Sequence, residues 1–297
     1  MKILYAASEA VPFCKTGGLA DVAGSLPPAL AEQGAETAVI LPLYRRVREK
    51  FADQLTFLCY DYVDLAWRHT YCGLFSMKKD GVTWYFLDNE QYFDRPELYG
   101  YVDDGERFGF FSRAVVKMLD HLEFWPDVIH CNDWQTALIP IYLKDDGVRE
   151  DRYRSIRTVL TIHNIEYQGK ANLSFNYDVI GLPRACDEVL RFDDCTNFMK
   201  AAIVTADQVS TVSQTYCQEL RYPYYAHGMS QVLSSRGGDF TGITNGIDTK
   251  LFDPMTTECL AAHYNEKTFK EGKLQNKLAL QKTLGLPEDR DTAMLAM

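Results

Sequence analysis

Hydrophobic positions in this chain follow two different periods. Short apolar or β-branched runs at 2–7, 37–41, 127–130, 158–163, 208–212 and 240–244 read as strands. Between them, the segments 20–33, 107–122, 134–144, 198–206 and 213–221 space their apolar residues as helices do. Strand and helix taking turns predicts an α/β fold, a mostly parallel sheet with helices on both faces. One stretch departs from that rhythm. The runs 55–65, 71–78 and 82–87 follow one another without a helix, and Asp80-Gly81 lies between the last two. Asp-Gly is a strong two-residue hairpin signal, so an antiparallel hairpin extension is expected there.

The segment 90–105 is rich in aromatics, Asp and Gly, among them Tyr92, Phe93, Tyr99 and Tyr101. Such a loop either stacks on sugar rings or packs on its own aromatics. The tail predicts a helix over 267–284, closed by Gly285 and Pro287. The run 292–297 then reads as the opening of a buried strand, and a chain that stops there is expected to be part of a longer protein.

Composition narrows the function classes. With 297 residues, 46% hydrophobic and 24% charged, there is material for one large domain or two small ones. A formal net charge of −10 speaks against nucleic-acid and anionic-membrane partners, which need a basic face. A small anionic substrate stays compatible if its pocket is locally basic. The 8 cysteines show no C-x-x-C and no zinc-ligand spacing, and read as buried free thiols of a reducing compartment. No signal-peptide pattern opens the chain, and no apolar run approaches the ~20 residues of a membrane-spanning helix. A cytoplasmic protein is the expectation.

The candidate chemistry sits where strands end. Lys15-Thr16-Gly17-Gly18 follows the first strand and leads into a helix. Glycine backbone, helix N-terminus and a mobile ammonium together suit phosphate oxygens. The order of a P-loop is absent, as is G-x-G-x-x-G, which argues against a nicotinamide-dependent Rossmann enzyme. A purely structural Gly-Gly turn fits the same residues. His130-Cys131-Asn132-Asp133 ends another strand, where a carboxylate can orient hydroxyls or act on protons, and where Asn132 or Asp133 also suits a helix N-cap. Thr161-Ile162-His163-Asn164 ends a third and offers a donor and an acceptor for sugar hydroxyls or a developing charge. Asn245-Gly246 follows a fourth as a turn, a rim element or a hinge. Polar strand ends of this kind converge on one crevice in open α/β sheets. Asp289-Arg290-Asp291 and the pairs at 103–104, 145–146 and 193–194 read as solvated loops rather than metal ligands, and no G-x-S-x-G elbow is present.

Taken together, Lys15–Val22, His130–Trp134, Thr161–Gly169, Thr211-Val212-Ser213 and Thr244–Asp248 resemble, in order, the motifs of bacterial glycogen synthases and plant starch synthases, glycosyltransferase family 5. The resemblance implies a GT-B fold. Residues 1–245 would form its N-terminal Rossmann-like catalytic domain, and 246–297 the hinge, helix and first strand of a second, truncated domain. It implies transfer of glucose from ADP-glucose to the non-reducing end of an α-1,4-glucan with retention, without metal or cofactor. Asp133 and His163 match positions beside the transferred glucose. Lys15, Gly17 and Gly18 match the donor diphosphate site. Asn164 and Asn245 match further rim positions, with Asp21 and Tyr92 as additional substrate contacts. The second domain of the family carries an Arg/Lys pair for the diphosphate, a glutamate near the sugar and most of the adenosine pocket. The 297 residues are therefore expected to be inactive alone. Competing readings are a retaining transferase with another donor, such as UDP-glucose, and a non-catalytic glucan-binding module.

Overall fold

The structure is a computed structural model and describes residues 1–295. Two compact units follow one another along the chain, Met1–Asn245 and Gly246–Met297. The strands, in chain order, are β1 (Lys2–Ala6), β2 (Glu36–Pro42), β3 (Thr56–Leu65), β4 (Arg68–Lys79), β5 (Val82–Asp88), β6 (Val128–Asn132), β7 (Arg157–Ile162), β8 (Lys170–Ala171), β9 (Arg191–Phe192), β10 (Cys195–Asn197), β11 (Gln208–Thr211) and β12 (Phe240–Gly242).

Nine of them form one sheet in the order β12-β11-β7-β6-β1-β2-β5-β4-β3. From β12 to β5 every neighbouring pair is parallel. The central strands are apolar on both faces, as in β1, where Ile3, Leu4, Tyr5 and Ala6 are all buried. That continuous burial is what a parallel sheet covered by helices on both sides demands. The helix Asp104–Met118 supplies a large part of the cover, with Phe108, Phe110, Phe111, Ala114 and Val115 fully buried.

β4 and β3 continue the sheet antiparallel beyond β5. The β4–β5 turn is Asp80-Gly81 with φ of 53° and 75°, both positive as a two-residue hairpin of this hand needs. The expected mostly parallel Rossmann-like sheet with a hairpin extension is therefore present, and its edges agree with the pattern to within a few residues.

Two readings are corrected. Asp104 begins the helix Asp104–Met118 and Asp145 and Asp146 lie inside the helix Ile139–Arg149, so those pairs are not loops; Asp146 pairs with Arg113 at 2.6 Å. Within 292–295 no strand forms and Leu295 is exposed; among the described residues every strand lies before residue 245. Residues 296 and 297 of that run lie outside the described residues. The three-stranded sheet β8-β10-β9 went unread because its strands, two or three residues of mixed polarity, form no apolar run. Of the cysteines, Cys14, Cys72, Cys131 and Cys217 are buried, Cys259 is exposed, and all eight are free thiols. Among the described residues no helix is long and apolar enough to cross a membrane. In the second unit the helix Phe269–Thr283 ends as its glycine predicts: Gly285 takes φ 68° and the Leu286 amide donates to the Gln281 carbonyl at 2.9 Å.

Candidate active site

Because the strands are parallel, the carboxyl ends of β1, β6, β7, β11 and β12 open on the same side. The segments leaving them line a cavity of about 930 Å³. Glu9 and Thr16 to Leu19 come from the first, Asp133 to Gln135 from the second, and His163, Asn164 and Tyr167 from the third. Val212 and Asn245 follow β11 and β12, while Tyr99, Gly100 and Asp104 reach in from the aromatic segment.

Asp133 is the best-defined group. Its backbone takes φ 56° and ψ −173°, a region that residues other than glycine rarely enter and that costs on the order of 1–3 kcal/mol. Three bonds hold it there. The Asp133 amide donates to the Thr161 carbonyl at 3.0 Å. Its carboxylate Oδ1 accepts from the amides of His163 at 2.7 Å and Asn164 at 3.2 Å. The helix-cap reading fails accordingly: Asp133 makes no side-chain bond to the turn Trp134–Thr136 that follows it. Burial pushes its carboxyl up to about 7, with the charge of Glu9 adding to the rise and the two amides opposing it.

His163 is fixed from behind by Asn132, which is fully buried. The Asn132 amide nitrogen donates to the Ala6 carbonyl at 3.0 Å, which leaves Oδ1 as the acceptor. That oxygen takes the Tyr5 hydroxyl at 2.9 Å and lies 3.0 Å from His163 Nε2. The imidazole therefore carries its proton on Nε2. Burial holds its pKa down to about 4, so the ring is neutral near pH 7. Asn164 accepts the Glu166 amide at 3.0 Å, which shapes the turn after β7.

Gly17 and Gly18 line the cavity, and a Cβ on Gly18 would meet nothing within 4 Å, so open space stands in front of that residue. Lys15 and Asp21 are not among the lining residues. They pair with each other, Lys15 Nζ lying 2.7 Å from both Asp21 oxygens, and both side chains are exposed. Tyr92 does not face the cavity either. It is 1% exposed, donates its hydroxyl to Glu106 at 2.6 Å and packs on Phe93 and Phe110. The aromatic segment thus packs largely on itself and still offers the cavity one aromatic ring, Tyr99, tied to Ser8 at 2.7 Å. Arg107 organises the segment. Fully buried, it donates to the carbonyls of Tyr92 at 2.7 Å and Leu98 at 3.1 Å and pairs with Asp104. Asp104 in turn accepts the Gly100 amide at 2.7 Å.

Of the lining residues, Glu9 was passed over in the sequence, Asp104 was read as part of a solvated loop, and Tyr99 belonged to the loop expected to stack on sugars or pack on itself. A signal existed for Glu9, which stands with Ser8 directly after the first apolar run, as the other strand-end motifs do. Three of the lining residues are acids, Glu9, Asp104 and Asp133, and none among the described lining residues is Lys or Arg. Among the described residues no group of three or more His, Cys, Asp and Glu is placed to hold a metal ion.

A family model for the starch synthase catalytic domain matches residues 2–235. The glycogen synthase of Streptococcus agalactiae serotype Ia is 44% identical over all of this chain, which covers 63% of that protein. The glycogen synthase of Exiguobacterium sibiricum is 46% identical over 99% of this chain and 62% of its own length. Among solved structures, the catalytic domain of starch synthase IV from Arabidopsis thaliana, bound to ADP and acarbose, superposes with a TM-score of 0.83 at 33% identity. That superposition covers 96% of this chain and 59% of the Arabidopsis one. The chain spans somewhat less than two thirds of the curated relatives it matches. The family match starts in β1 and runs past the helix Ser230–Ser234, taking in the whole cavity wall except Asn245, and the chain belongs to the starch synthase catalytic-domain family, glycosyltransferase family 5.

Proposed function

We propose that this chain serves the transfer of glucose from ADP-glucose to the 4-hydroxyl at the non-reducing end of an α-1,4-glucan, with retention. The observation that supports it most is the meeting of Asp133, His163 and Asn164 with the Gly17–Gly18 turn around one cavity. Breaking a glycosyl–phosphate bond develops positive charge on the sugar and negative charge on the diphosphate. Of the lining acids, Asp104 is paired with Arg107 and Glu9 with the Thr16 donors, which leaves Asp133, when ionised, as the charge placed to favour the sugar's developing charge. Neutral His163 and the Asn164 side chain are placed to orient hydroxyls.

The diphosphate is less well served by the cavity lining. Lys15 stands next to the turn but is engaged with Asp21. An exposed pair of that kind is worth about 0–1 kcal/mol, which an arriving diphosphate easily outweighs. On this reading the remaining cationic contacts, and those to the adenosine, belong to the part of the longer relatives that this chain does not span. Met1–Asn245 is then the first Rossmann-like domain of a GT-B enzyme, with Gly246–Met297 as the hinge and the opening of the second. The free thiols fit a cytoplasmic protein.

The test is ADP-glucose-dependent incorporation of glucose into glycogen. The 297-residue chain is compared with a fusion that adds the remainder of the Streptococcus agalactiae relative. Elongation by the fusion alone is the expected result. Elongation by the 297 residues alone would overturn the division of the site. Activity in neither, with both folded, would turn the reading toward another donor or a glucan-binding module.

A further inference from the structure

Glu9 is 3% exposed and lies in a wall read here as facing a diphosphate. A buried carboxylate in such a place is a like-charge liability unless something nearby consumes its charge. The Lys15–Gly18 turn does so. Glu9 Oε2 accepts from the Thr16 backbone amide and, at 2.8 Å, from the Thr16 hydroxyl. Its other oxygen, Oε1, lies against Gly17, 3.7 Å from where a Cβ on that residue would stand. Both residues precede the helix Gly18–Glu32, whose N-cap is Gly17 and receives no cap from its own side chain. One acid, supplied from the end of β1, thus ties down the entry to that helix.

We propose that Glu9 is a positioning residue that acts through the Thr16–Gly18 turn. Its carboxylate holds the turn flush with the cavity, so that the Gly18 end of the helix is presented to an oxyanion of the donor. The inference rests on the turn being the donor's phosphate cradle. It assigns Glu9 no bond to the sugar or the phosphate.

The sign of one substitution separates this role from simple electrostatics. If Glu9 acted only as a charge, neutralising it would tighten oxyanion binding, since a like charge is removed. As a positioning group, its neutralisation loosens binding. Glu9→Gln keeps the shape but gives the two Thr16 donors a neutral acceptor in place of a charged one. Glu9→Asp keeps the charge and draws the carboxylate back by one methylene.

The experiment is a titration of the 297-residue chain with inorganic pyrophosphate, following the Thr16, Gly17 and Gly18 amides by NMR. Amide exchange is measured first without ligand. The expected result is faster exchange at Thr16 and Gly17 in both variants, and pyrophosphate affinity lower by about tenfold in both, about the worth of one hydrogen bond from the displaced turn to the anion. Signals from β2 and β5 stay in place to show that the sheet is intact. Unchanged exchange, or tighter binding in Glu9→Gln, overturns the proposal. If the wild-type chain ignores pyrophosphate, the phosphate-cradle reading falls. The exchange rates then still decide whether Glu9 holds the turn. If Glu9→Gln does not fold, Glu9→Asp and Thr16→Val, which removes the hydroxyl contact alone, carry the same comparison.

Discussion

The Asp133 carboxylate accepts from the backbone amide of His163 at 2.7 Å, joining the end of β6 to the end of β7. No cation stands among its hydrogen-bond partners; two amide dipoles do that work in a buried setting. Its carboxyl is raised from 3.8 to about 7. A group raised on folding contributes stability that is full below its unfolded value and lost as pH climbs through its folded one. Asp133→Asn has nothing to ionise and keeps an oxygen for the two amides. The variant should therefore gain on wild type between pH 4 and pH 8, by as much as about 4 kcal/mol at 1.36 kcal/mol per unit. Thermal melts at both ends of that range check it. A difference that stays flat with pH would count against the buried, raised carboxyl.

His163 should show the opposite sign. Its pKa is depressed from 6.5 to about 4, so its contribution is full above 6.5 and fades as pH falls toward 4. Ring nitrogen shifts should report a neutral imidazole, protonated on Nε2, from pH 5.5 to 8. Asn132→Leu removes the acceptor behind the ring, and a mixture of tautomers should appear. A ring that titrates near 6.5 in the wild type would contradict the packing described.

Gly18→Ala separates folding from binding. Gly18 is the first residue of its helix, and a methyl there has open space. Stability should hold or rise, by up to about 1 kcal/mol as glycine's unfolded-state entropy is reduced. The same methyl stands in the cavity, so on the proposed function the affinity for ADP-glucose should fall by about tenfold. Melting temperature and calorimetric titration of one variant test both halves.

Arg107→Met should be costly. It leaves Asp104 without its buried partner and the carbonyls of Tyr92 and Leu98 without donors. Breaking one side of such a pair costs about 3–5 kcal/mol. Arg107→Lys should recover little, because one ammonium cannot reach in the several directions that the guanidinium spans. Denaturant midpoints of both variants give the measurement.

Asp80-Gly81 was readable from sequence because few residues accept two successive positive φ values. The strand ends were readable because strands buried on both faces leave nearly unbroken apolar runs, and the polar residue that ends a run stands out. Asp133, His163 and Asn164 stood out in that way and Gly17 and Gly18 as a turn leading into a helix, and the structure brings all of them to one cavity. The aromatic segment gave no such guide. Which of Tyr92 and Tyr99 turns inward depends on Arg107, some way along the chain, bonding the Tyr92 and Leu98 carbonyls. Asp104 and Asp146 look like solvated pairs in sequence, but their partners, Arg107 and Arg113, become visible only once helices are packed.

The cavity wall draws on Glu9 near one end of its unit and on Asn245 at the other. Contacts between such distant segments close late, since loop-closure entropy has to be met before they form. The pocket therefore cannot exist as a locally folded piece. Anything that occupies it draws on the free energy of the whole sheet, and occupancy by mass action should raise the unit's resistance to unfolding by about 2.7 kcal/mol at a hundred times the dissociation constant. A library of nucleotides and oligosaccharides can thus be screened against this chain by melting alone, with no turnover required.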